Sequence, residues 1–149
     1  MTIAKIRFSV VIPTRDRPAE VERCVRSVRH QQPTPADAEI IVVDDSERQS
    51  ESLNVGADRI VRTPGGAGPT VARNLGAAVA NGEWIIFLDD DDTPAEGWLD
   101  AFRRLAALPN VGVASVGYRY DDGHTEVVTP APLGPAFGDL SASLLAGTF

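Results

Sequence analysis

Two runs of aspartate, at 44–45 and 89–92, stand directly after apolar segments of the chain at 40–43 and 84–88. Clustered carboxylates repel one another unless a cation or hydrogen-bond donors neutralise them. Ligation by oxygen alone suits a hard divalent ion such as Mg²⁺ or Mn²⁺, and Mg²⁺ often takes its remaining ligands from water and substrate phosphates. The residue types therefore predict a metal-assisted site for a nucleoside diphosphate. A solvated acidic loop or a turn-forming pair is the alternative for either run alone.

Arginines and a glycine-rich turn accompany these acids. The segment 14–17, Thr-Arg-Asp-Arg, follows the first apolar run, and the glycine-rich turn 64–69 precedes Arg73 in the first turn of a predicted helix. Because the backbone N–H groups of a helix N-terminus favour phosphate, this placement agrees with a phosphate ligand. The spacing of the glycines matches neither the P-loop nor the dinucleotide fingerprint, so the turn is a weak signal by itself.

The elements that must position these residues alternate between strands and amphipathic helices. The apolar periodicity predicts helices at 18–30 and 70–80 and strands at 6–12 (ending at Pro13), 39–43, 60–61 and 84–88. This alternation predicts an α/β fold with a parallel sheet covered by helices on both faces. Ligands of such sheets bind at the carboxyl ends of the strands, which is where both aspartate runs fall.

Local signals predict where two of the helices end and begin. We expect Asn81-Gly82 to stop the second helix, because both residue types tolerate the left-handed conformation. Thr93, Pro94 and Glu96 have the spacing of a capping box, which predicts a third helix starting there. Its buried stripe would comprise Trp98, Leu99, Phe102, Leu105 and Ala106.

The last third of the chain carries weaker signals. Strands are predicted at 111–120 and 125–129 around a hairpin turn at Asp122-Gly123, and a loop is predicted at 130–138. The segment Leu140 to Phe149 is apolar and small. It is a candidate docking segment for a partner chain or a second copy of this chain.

Composition excludes several classes of protein. A length of 149 residues is typical of one domain. The net charge of −7 disfavours binding to nucleic acid, whose phosphates attract lysine and arginine. Lys5 is the single lysine, which excludes a Schiff-base lysine or a P-loop lysine further along the chain. The sequence predicts neither a membrane-spanning segment nor a signal peptide. Cys24 is the single cysteine, so no intramolecular disulfide can form and a cytoplasmic location is expected.

Four motifs together carry a family resemblance. In chain order they are Val10-Val11-Ile12-Pro13-Thr14-Arg15-Asp16-Arg17, Ile40-Ile41-Val42-Val43-Asp44-Asp45-Ser46, Ala72-Arg73-Asn74-Leu75-Gly76 and Phe87-Leu88-Asp89-Asp90-Asp91-Asp92. In order and spacing they resemble glycosyltransferase family 2, whose members have the GT-A fold and transfer sugars from nucleotide donors with inversion. The resemblance covers about Phe8 to Leu108. It implies one domain over 1–149, a three-layer α/β/α sandwich with a mostly parallel, Rossmann-like sheet.

The resemblance implies a nucleoside pocket at the end of the first strand. Pro13 and Thr14 would line it through their backbone, with Arg15 and Asp16 as further nucleotide-sugar-binding residues. Members of the family often have an aromatic residue at the position of Arg15, where it stacks on the base. An arginine plane can stack on a base as well, so the role is open to this residue too.

Three more donor-binding positions follow from the second and third motifs. The resemblance implies that Asp44 or Asp45 accepts a hydrogen bond from the ring N–H of the base, and Asp44 is preferred. Arg73 would reach the base or the diphosphate. Uridine is the default nucleoside for the donor, while guanosine and thymidine donors occur in the same fold.

The run of four aspartates resembles the Asp-x-Asp motif of the family. In this alignment Asp89 contacts the ribose, Asp90 is the variable middle position among the nucleotide-sugar-binding residues, and Asp91 binds Mg²⁺ or Mn²⁺. Asp92 would then serve the metal from the second shell. Four consecutive aspartates leave an ambiguity of one residue in this register.

Complete members of the family continue past the point where this chain ends. Their later part supplies the acceptor side and the carboxylate that acts as general base. We therefore expect a truncated chain whose general base lies beyond Phe149, and we assign no base to Asp121, Asp122 or Asp139. A chain of this kind is expected to bind its donor and to transfer sugar weakly or not at all.

Two other functions compete with this interpretation. The segment from Phe87 to Thr93 resembles the nucleophile motif of haloacid dehalogenase-type phosphatases, but the lysine which that family needs downstream is missing. The chain could instead be a non-catalytic nucleotide-binding or assembly module that docks through 140–149. A calcium-binding EF-hand loop is excluded because Pro94 stands where that loop needs glycine.

Overall fold

The computed structural model describes residues 7–31, 37–48, 53–109, 118–120 and 126–128. The chain divides into two compact units, Met1–Arg103 and Arg104–Phe149. The elements up to the boundary are β1 (Phe8–Thr14), α1 (Pro18–His30), β2 (Ala38–Asp44), β3 (Arg59–Arg62), α2 (Pro69–Val79), β4 (Trp84–Phe87) and α3 (Trp98–Ala106), which crosses it. A single domain over 1–149 stays a prediction.

The first unit contains a parallel four-stranded sheet with the order β3-β2-β1-β4. The chain adds β2 and β3 on one side of β1 and then returns to add β4 on the other side. The strand order therefore reverses between β1 and β4, and the carboxyl ends of these two strands border the crevice where such sheets bind ligands. This architecture confirms the predicted α/β fold.

Helices cover the two faces of the sheet because β1 and β2 are apolar on both. One face packs against α2, in a cluster of Val11, Ile41, Val43 and Ala72. Side chains alternate between faces along a strand, so Val10 lies on the other face of β1. The helix α1 contacts β1 and buries four side chains at helical spacing: Val21, Cys24, Val25 and Val28.

The strand β1 ends two residues later than predicted, since it runs through Pro13 to Thr14. Its carbonyl groups at Val11 and Thr14 bond in opposite directions, to Leu88 N–H in the β4 segment and to Asp45 N–H after β2. The nitrogen of Pro13 shares the β4 side with Val11, and the pairing of β1 with β4 ends at Val11. The missing N–H of the proline therefore breaks no ladder bond, which is why the strand continues.

The helix α2 ends near the predicted stop but for a different reason. It ends at Val79, followed by an extended Ala80 with φ −67° and ψ 140°. Neither Asn81 nor Gly82 has the left-handed φ that we expected. Gly82 is needed for space instead, because a Cβ atom at this position would lie 2.5 Å from the backbone nitrogen of Ser9.

A buried carboxylate lies at the amino end of the sheet, beside this close approach. Glu39 accepts hydrogen bonds from Ser9 Oγ at 2.6 Å, from Asn81 N–H at 2.6 Å and from Asn81 Nδ2 at 3.2 Å. Burial alone would raise the pKa of Glu39, but the hydrogen bonds from Ser9 and Asn81 outweigh it and lower the pKa. Gly82 N–H donates to the same Ser9 hydroxyl at 2.8 Å.

The predicted capping box at Thr93 is wrong, because α3 begins only at Trp98. Gly97 has a φ of +79°, which no α-helical residue adopts, so a helix can start only after it. The carbonyl groups of Pro94 and Ala95 accept hydrogen bonds from the Gln31 side chain at 3.4 Å and 2.8 Å. The predicted buried stripe is also mostly wrong. Only Leu99 is buried, while four of its members are half-buried: Trp98, Phe102, Leu105 and Ala106.

The second unit contains an antiparallel pair, β5 (Tyr118–Tyr120) and β6 (Glu126–Val128), with Tyr118 opposite Val128. The pairing agrees with the predicted hairpin, although its turn at 122–123 lies outside the described residues. The same holds for the predicted strand residues 111–117, the loop 130–138 and the apolar segment 140–149. No helix in the described part of the chain is long and apolar enough to cross a membrane.

Candidate functional site

A cavity of about 440 Å³, here called the larger cavity, opens at the carboxyl ends of β1 and β4. It lies at the reversal of strand order and reaches the start of α2. Eight of the residues predicted from the sequence line it: Pro13, Thr14, Arg15, Asp45, Arg73, Asp89, Asp90 and Asp91. Arg17, Pro69 and Ala72 complete the lining.

Asp90 is the buried carboxylate of the aspartate run, with 9% of its side-chain surface exposed. It accepts a hydrogen bond from Thr14 Oγ1 at 2.7 Å, and Arg17 Nη1 lies 3.3 Å from its other oxygen. Both partners belong to the end of β1 and the loop that follows. Asp90, the middle position of the predicted motif, therefore connects the ends of β1 and β4, which border the larger cavity. The family resemblance alone had given this position no fixed role.

The two aspartates on either side of Asp90 are exposed and each has an arginine partner. Asp89 lies 2.5 Å from Arg73 Nη2, and Asp91 lies 3.1 Å from Arg17 Nη1. The charge of Asp90 first, and then the hydrogen bond and charge of Asp91, raise the pKa of Arg17. The edge of the cavity thus presents two carboxylates whose charges are balanced by guanidinium groups of the same chain.

Asp45 holds the glycine-rich turn that precedes α2. Its Oδ1 accepts hydrogen bonds from the Thr63 hydroxyl and from Ala67 N–H (2.8 Å), and its Oδ2 accepts one from Gly68 N–H at 2.9 Å. Burial alone would raise the pKa of Asp45, but these hydrogen bonds outweigh it and lower the pKa. The backbone donors of the turn are directed to this carboxylate, which also lines the larger cavity.

Asp44 lies in a second cavity of about 250 Å³, here called the smaller cavity. Asp44 is the last residue of β2 and Asp45 follows it. Consecutive residues of an extended chain point to opposite faces, so the two side chains separate. Asp44 is buried, accepts a hydrogen bond from Ser46 N–H at 3.0 Å and lies 3.5 Å from Arg62 Nε. Asp16 also lines the smaller cavity, in the left-handed conformation with a φ of 56°.

Arg15 and Asp92, two further predicted residues, differ in their relation to the site. Arg15 lines the larger cavity and pairs with Glu47 at 2.8 Å. Asp92 lines neither cavity. Burial, followed by the charges of Asp89 and Asp91, raises the pKa of Asp92.

Cys24 lies beneath the aspartate run, where its Sγ is 3.5 Å from the carbonyl oxygen of Asp89. The side chain is fully buried on α1. Burial above all, and then the charge of Asp92 and of the other aspartates in the run, raises the pKa of Cys24 to about 12. A thiol in this state is protonated at neutral pH and is not a nucleophile.

No three histidine, cysteine, aspartate or glutamate side chains converge on a point that could hold a metal ion, as far as the chain is described. The exposed carboxylates of Asp89 and Asp91 are nevertheless hard oxygen donors at the rim of the larger cavity. Magnesium in phosphate-binding sites commonly uses one or two carboxylates and takes its other ligands from phosphate and water. The donor set fits an ion that arrives with a diphosphate.

Two residues that bind the aspartates of the site were not among those predicted, namely Arg17 and Thr63. Arg17 bridges Asp90 and Asp91, and Thr63 binds Asp45 directly after β3. The signal for Thr63 was present, since it follows a strand just as Asp45 follows β2. A signal for Arg17 was present as well. This residue lies between the end of β1 and Pro18, the first residue of α1, which is a segment where ligand-binding residues are expected.

Sequence relatives were found among curated proteins. An uncharacterized glycosyltransferase of Haemophilus influenzae is 36% identical over 91 residues, which are 57% of this chain and 29% of that protein. A pre-mycofactocin glycosyltransferase of Mycobacterium tuberculosis is 35% identical over 113 residues, which are 72% of this chain and 22% of that protein. The chain therefore spans less than a third of the length of both relatives.

Solved structures share the fold at lower identity. TarS 1–349 of Staphylococcus aureus in complex with UDP matches with a TM-score of 0.58 and 24% identity, over 74% of this chain and 38% of that one. A mannosyltransferase of Pyrobaculum calidifontis in complex with GDP-Man and Mn²⁺ matches with a TM-score of 0.61 and 22% identity, over 71% of this chain and 34% of that one. These likenesses support the GT-A fold.

The family profile for glycosyl transferase family 2 matches residues 9–139, which include all four motifs and every residue of the larger cavity. Matched over most of its length, and with the sheet order and strand-end site described above, the chain belongs to glycosyl transferase family 2.

Proposed function

We propose that this chain binds a nucleoside-diphosphate sugar in the larger cavity and forms the donor-binding part of a metal-dependent, inverting glycosyltransferase. The observation that carries the proposal is the set of charged residues at the reversal of strand order. Arg73 and Arg17 supply positive charge there, and Asp89 and Asp91 supply exposed carboxylates. A diphosphate with a divalent ion matches both charges, because the phosphates take the guanidinium groups and the ion takes the carboxylates.

The nucleoside is proposed to lie against Pro13 and Thr14 at the end of β1, with Arg15 beside it. Asp45 is the better candidate to accept a hydrogen bond from the base, because it shares the larger cavity with Arg73 and Asp89. Asp44 and Asp16 line the smaller cavity, so they would contact the donor only if it extended across Thr14 and Arg17. This geometry favours Asp45 over the Asp44 that the sequence led us to prefer.

The ion is proposed to be Mg²⁺ or Mn²⁺, held by Asp91 with Asp89 as its neighbour. When bound, such an ion neutralises the charge that develops on a departing diphosphate. Arg73 is proposed to orient the donor, and its contact with Asp89 at 2.5 Å would hold that carboxylate in position. Asp90 stays with Thr14 and Arg17, where it fixes the distance between the ends of β1 and β4. Inversion follows from a single displacement, in which an acceptor hydroxyl attacks the sugar from the face opposite the leaving diphosphate.

Calorimetric titration of the 149-residue chain with UDP, GDP and dTDP tests this proposal, each with Mn²⁺ and again with a chelator. We expect one of the three to bind only when metal is present, since the carboxylates of the rim need the ion to accept phosphate. UDP and GDP are the first two to try, because one structural neighbour was solved with UDP and another with GDP-Man. The proposal is wrong if none of the three binds to a chain that melts cooperatively.

A further inference from the structure

Arg17 occupies the wall between the larger and the smaller cavity and lines both. Its Nη1 lies 3.3 Å from the buried carboxylate of Asp90 and 3.1 Å from the exposed carboxylate of Asp91. About half of the arginine side chain is exposed to solvent. One guanidinium nitrogen thus contacts two carboxylates, of which one is buried and the other is exposed to solvent.

The two contacts of Arg17 are not equally replaceable. Asp90 has little access to water, and removing a cation from a buried carboxylate is unfavourable. Asp91 is exposed, so water or another cation can take over its charge. If the charge balance at the rim changes, the contact between Arg17 and Asp91 is the one that breaks.

A divalent ion on Asp91 would lie close to the guanidinium group of Arg17. Two cations near one carboxylate repel each other, and at short range this repulsion is substantial even in a partly aqueous setting. A diphosphate changes the balance, because its negative charges attract both the ion and the arginine. The chain alone therefore disfavours the ion, and the chain with a diphosphate favours it.

We propose that Arg17 is a built-in competitor for the metal position, which keeps Asp91 neutralised until the ion arrives together with a nucleoside diphosphate. This inference rests on the proposed function, since it assumes that Asp91 holds the ion. Arg17 acts through Asp91 and is a positioning residue. Its consequence is coupled binding, in which metal and nucleotide each raise the affinity of the chain for the other.

The experiment measures Mn²⁺ affinity without nucleotide, from the electron paramagnetic resonance signal of the free ion. Wild type is compared with Arg17→Gln, which keeps a hydrogen-bond donor for Asp90, and with Arg17→Lys, which keeps the charge. We expect Arg17→Gln to bind Mn²⁺ about tenfold more tightly than wild type, as loss of one nearby positive charge predicts. Arg17→Lys should stay close to wild type. With UDP present, the gain in Mn²⁺ affinity should be smaller in Arg17→Gln than in wild type.

Arg26→Gln is the matched control. It removes one positive charge from α1 at an exposed position, where the arginine pairs with Glu22 at 2.6 Å. It should leave Mn²⁺ affinity unchanged. Equal Mn²⁺ affinity in Arg17→Gln and wild type would overturn the inference, and so would a gain that Arg17→Lys shares, because the effect would then not come from charge.

A measurement on wild type covers the case in which Arg17→Gln does not fold. The side-chain Nε–H resonance of Arg17 should shift when Mg²⁺ is added together with the nucleoside diphosphate that binds in calorimetry, and it should stay in place with Mg²⁺ alone. A resonance that does not move with both ligands overturns the inference. If wild type binds Mn²⁺ neither alone nor with a nucleotide, the proposed function itself fails. That outcome is distinct from a wild type that binds both but is insensitive to Arg17.

Discussion

Replacing Asp45 by asparagine removes one acceptor atom from the carboxylate that holds the glycine-rich turn. An amide has one oxygen, so its NH₂ group must face either Gly68 N–H or the pair formed by Thr63 and Ala67. The less costly orientation keeps the oxygen on the pair and sets two donors against each other at Gly68. The two bonds that remain lose the negative charge of their acceptor.

The size of the effect follows from these contacts. A hydrogen bond to a charged group contributes about 1.5–3 kcal/mol and a neutral one about half of that, so one lost bond and two weakened bonds amount to about 3–6 kcal/mol. That is a large part of the free energy of unfolding of a typical domain, about 5–15 kcal/mol. For a chain of this length it corresponds to a fall in melting temperature of about 10–20 °C.

Thermal unfolding followed by circular dichroism measures this change, with Asp100→Asn as control. Asp100 is an exposed acid of α3 that pairs with Arg103, and its replacement should change stability by less than about 0.5 kcal/mol. A double-mutant cycle with Thr63→Val isolates the contact between Thr63 and Asp45, where a coupling of about 1–2 kcal/mol is expected. If Asp45→Asn melts within about 2 °C of wild type, the hydrogen bonds to Asp45 do not stabilise the turn and the reasoning fails.

Three further predictions concern other parts of the chain. Gly82→Ala should lower the free energy of unfolding by about 2 kcal/mol or more in denaturant titration, because its Cβ would meet the backbone of Ser9 at 2.5 Å; an unchanged midpoint would contradict that close approach. The lowered pKa of Glu39 means that the carboxylate stabilises the fold above its ordinary pKa of about 4.3 and that this stability is lost as the pH falls through the lower folded value. Glu39→Gln should therefore flatten the acid side of the stability profile, and a profile as steep as that of wild type would refute this. Asp91→Asn should weaken nucleotide binding in calorimetry with Mn²⁺ to the level that wild type shows with a chelator, and binding of wild-type strength with Mn²⁺ would show that Asp91 does not hold the ion.

The fold was largely predictable because its signals are local. The four parallel strands and α1 follow from apolar runs and helical spacing, which need no knowledge of the rest of the chain. The start of α3 was not predictable in this way. Its capping-box residues are the usual types, but Gly97 takes a positive φ and Gln31 binds the carbonyl groups before it, and the second contact depends on the packing of α1.

In the candidate site too, local signals predicted the position of the residues, while contacts distant in sequence decide the direction of their side chains. The rule that ligands bind at strand ends placed the aspartates at one edge of the sheet, and the structure has them there. It could not tell which aspartate lies where, because Asp44 and Asp45 point to different cavities and Asp90 points inward. Those directions depend on the last residue of each strand and on partners distant in sequence, such as Thr63 and Arg17.

Cys24 can report on opening motions at the carboxyl ends of β1 and β4. It is the single cysteine of the chain, it is buried against the carbonyl group of Asp89, and its pKa is raised to about 12. A thiol-specific reagent can therefore modify it only when the packing around this side chain opens. The labelling rate of the unaltered protein then measures the frequency of that opening, and a ligand held by Asp89 and Asp91 should slow it.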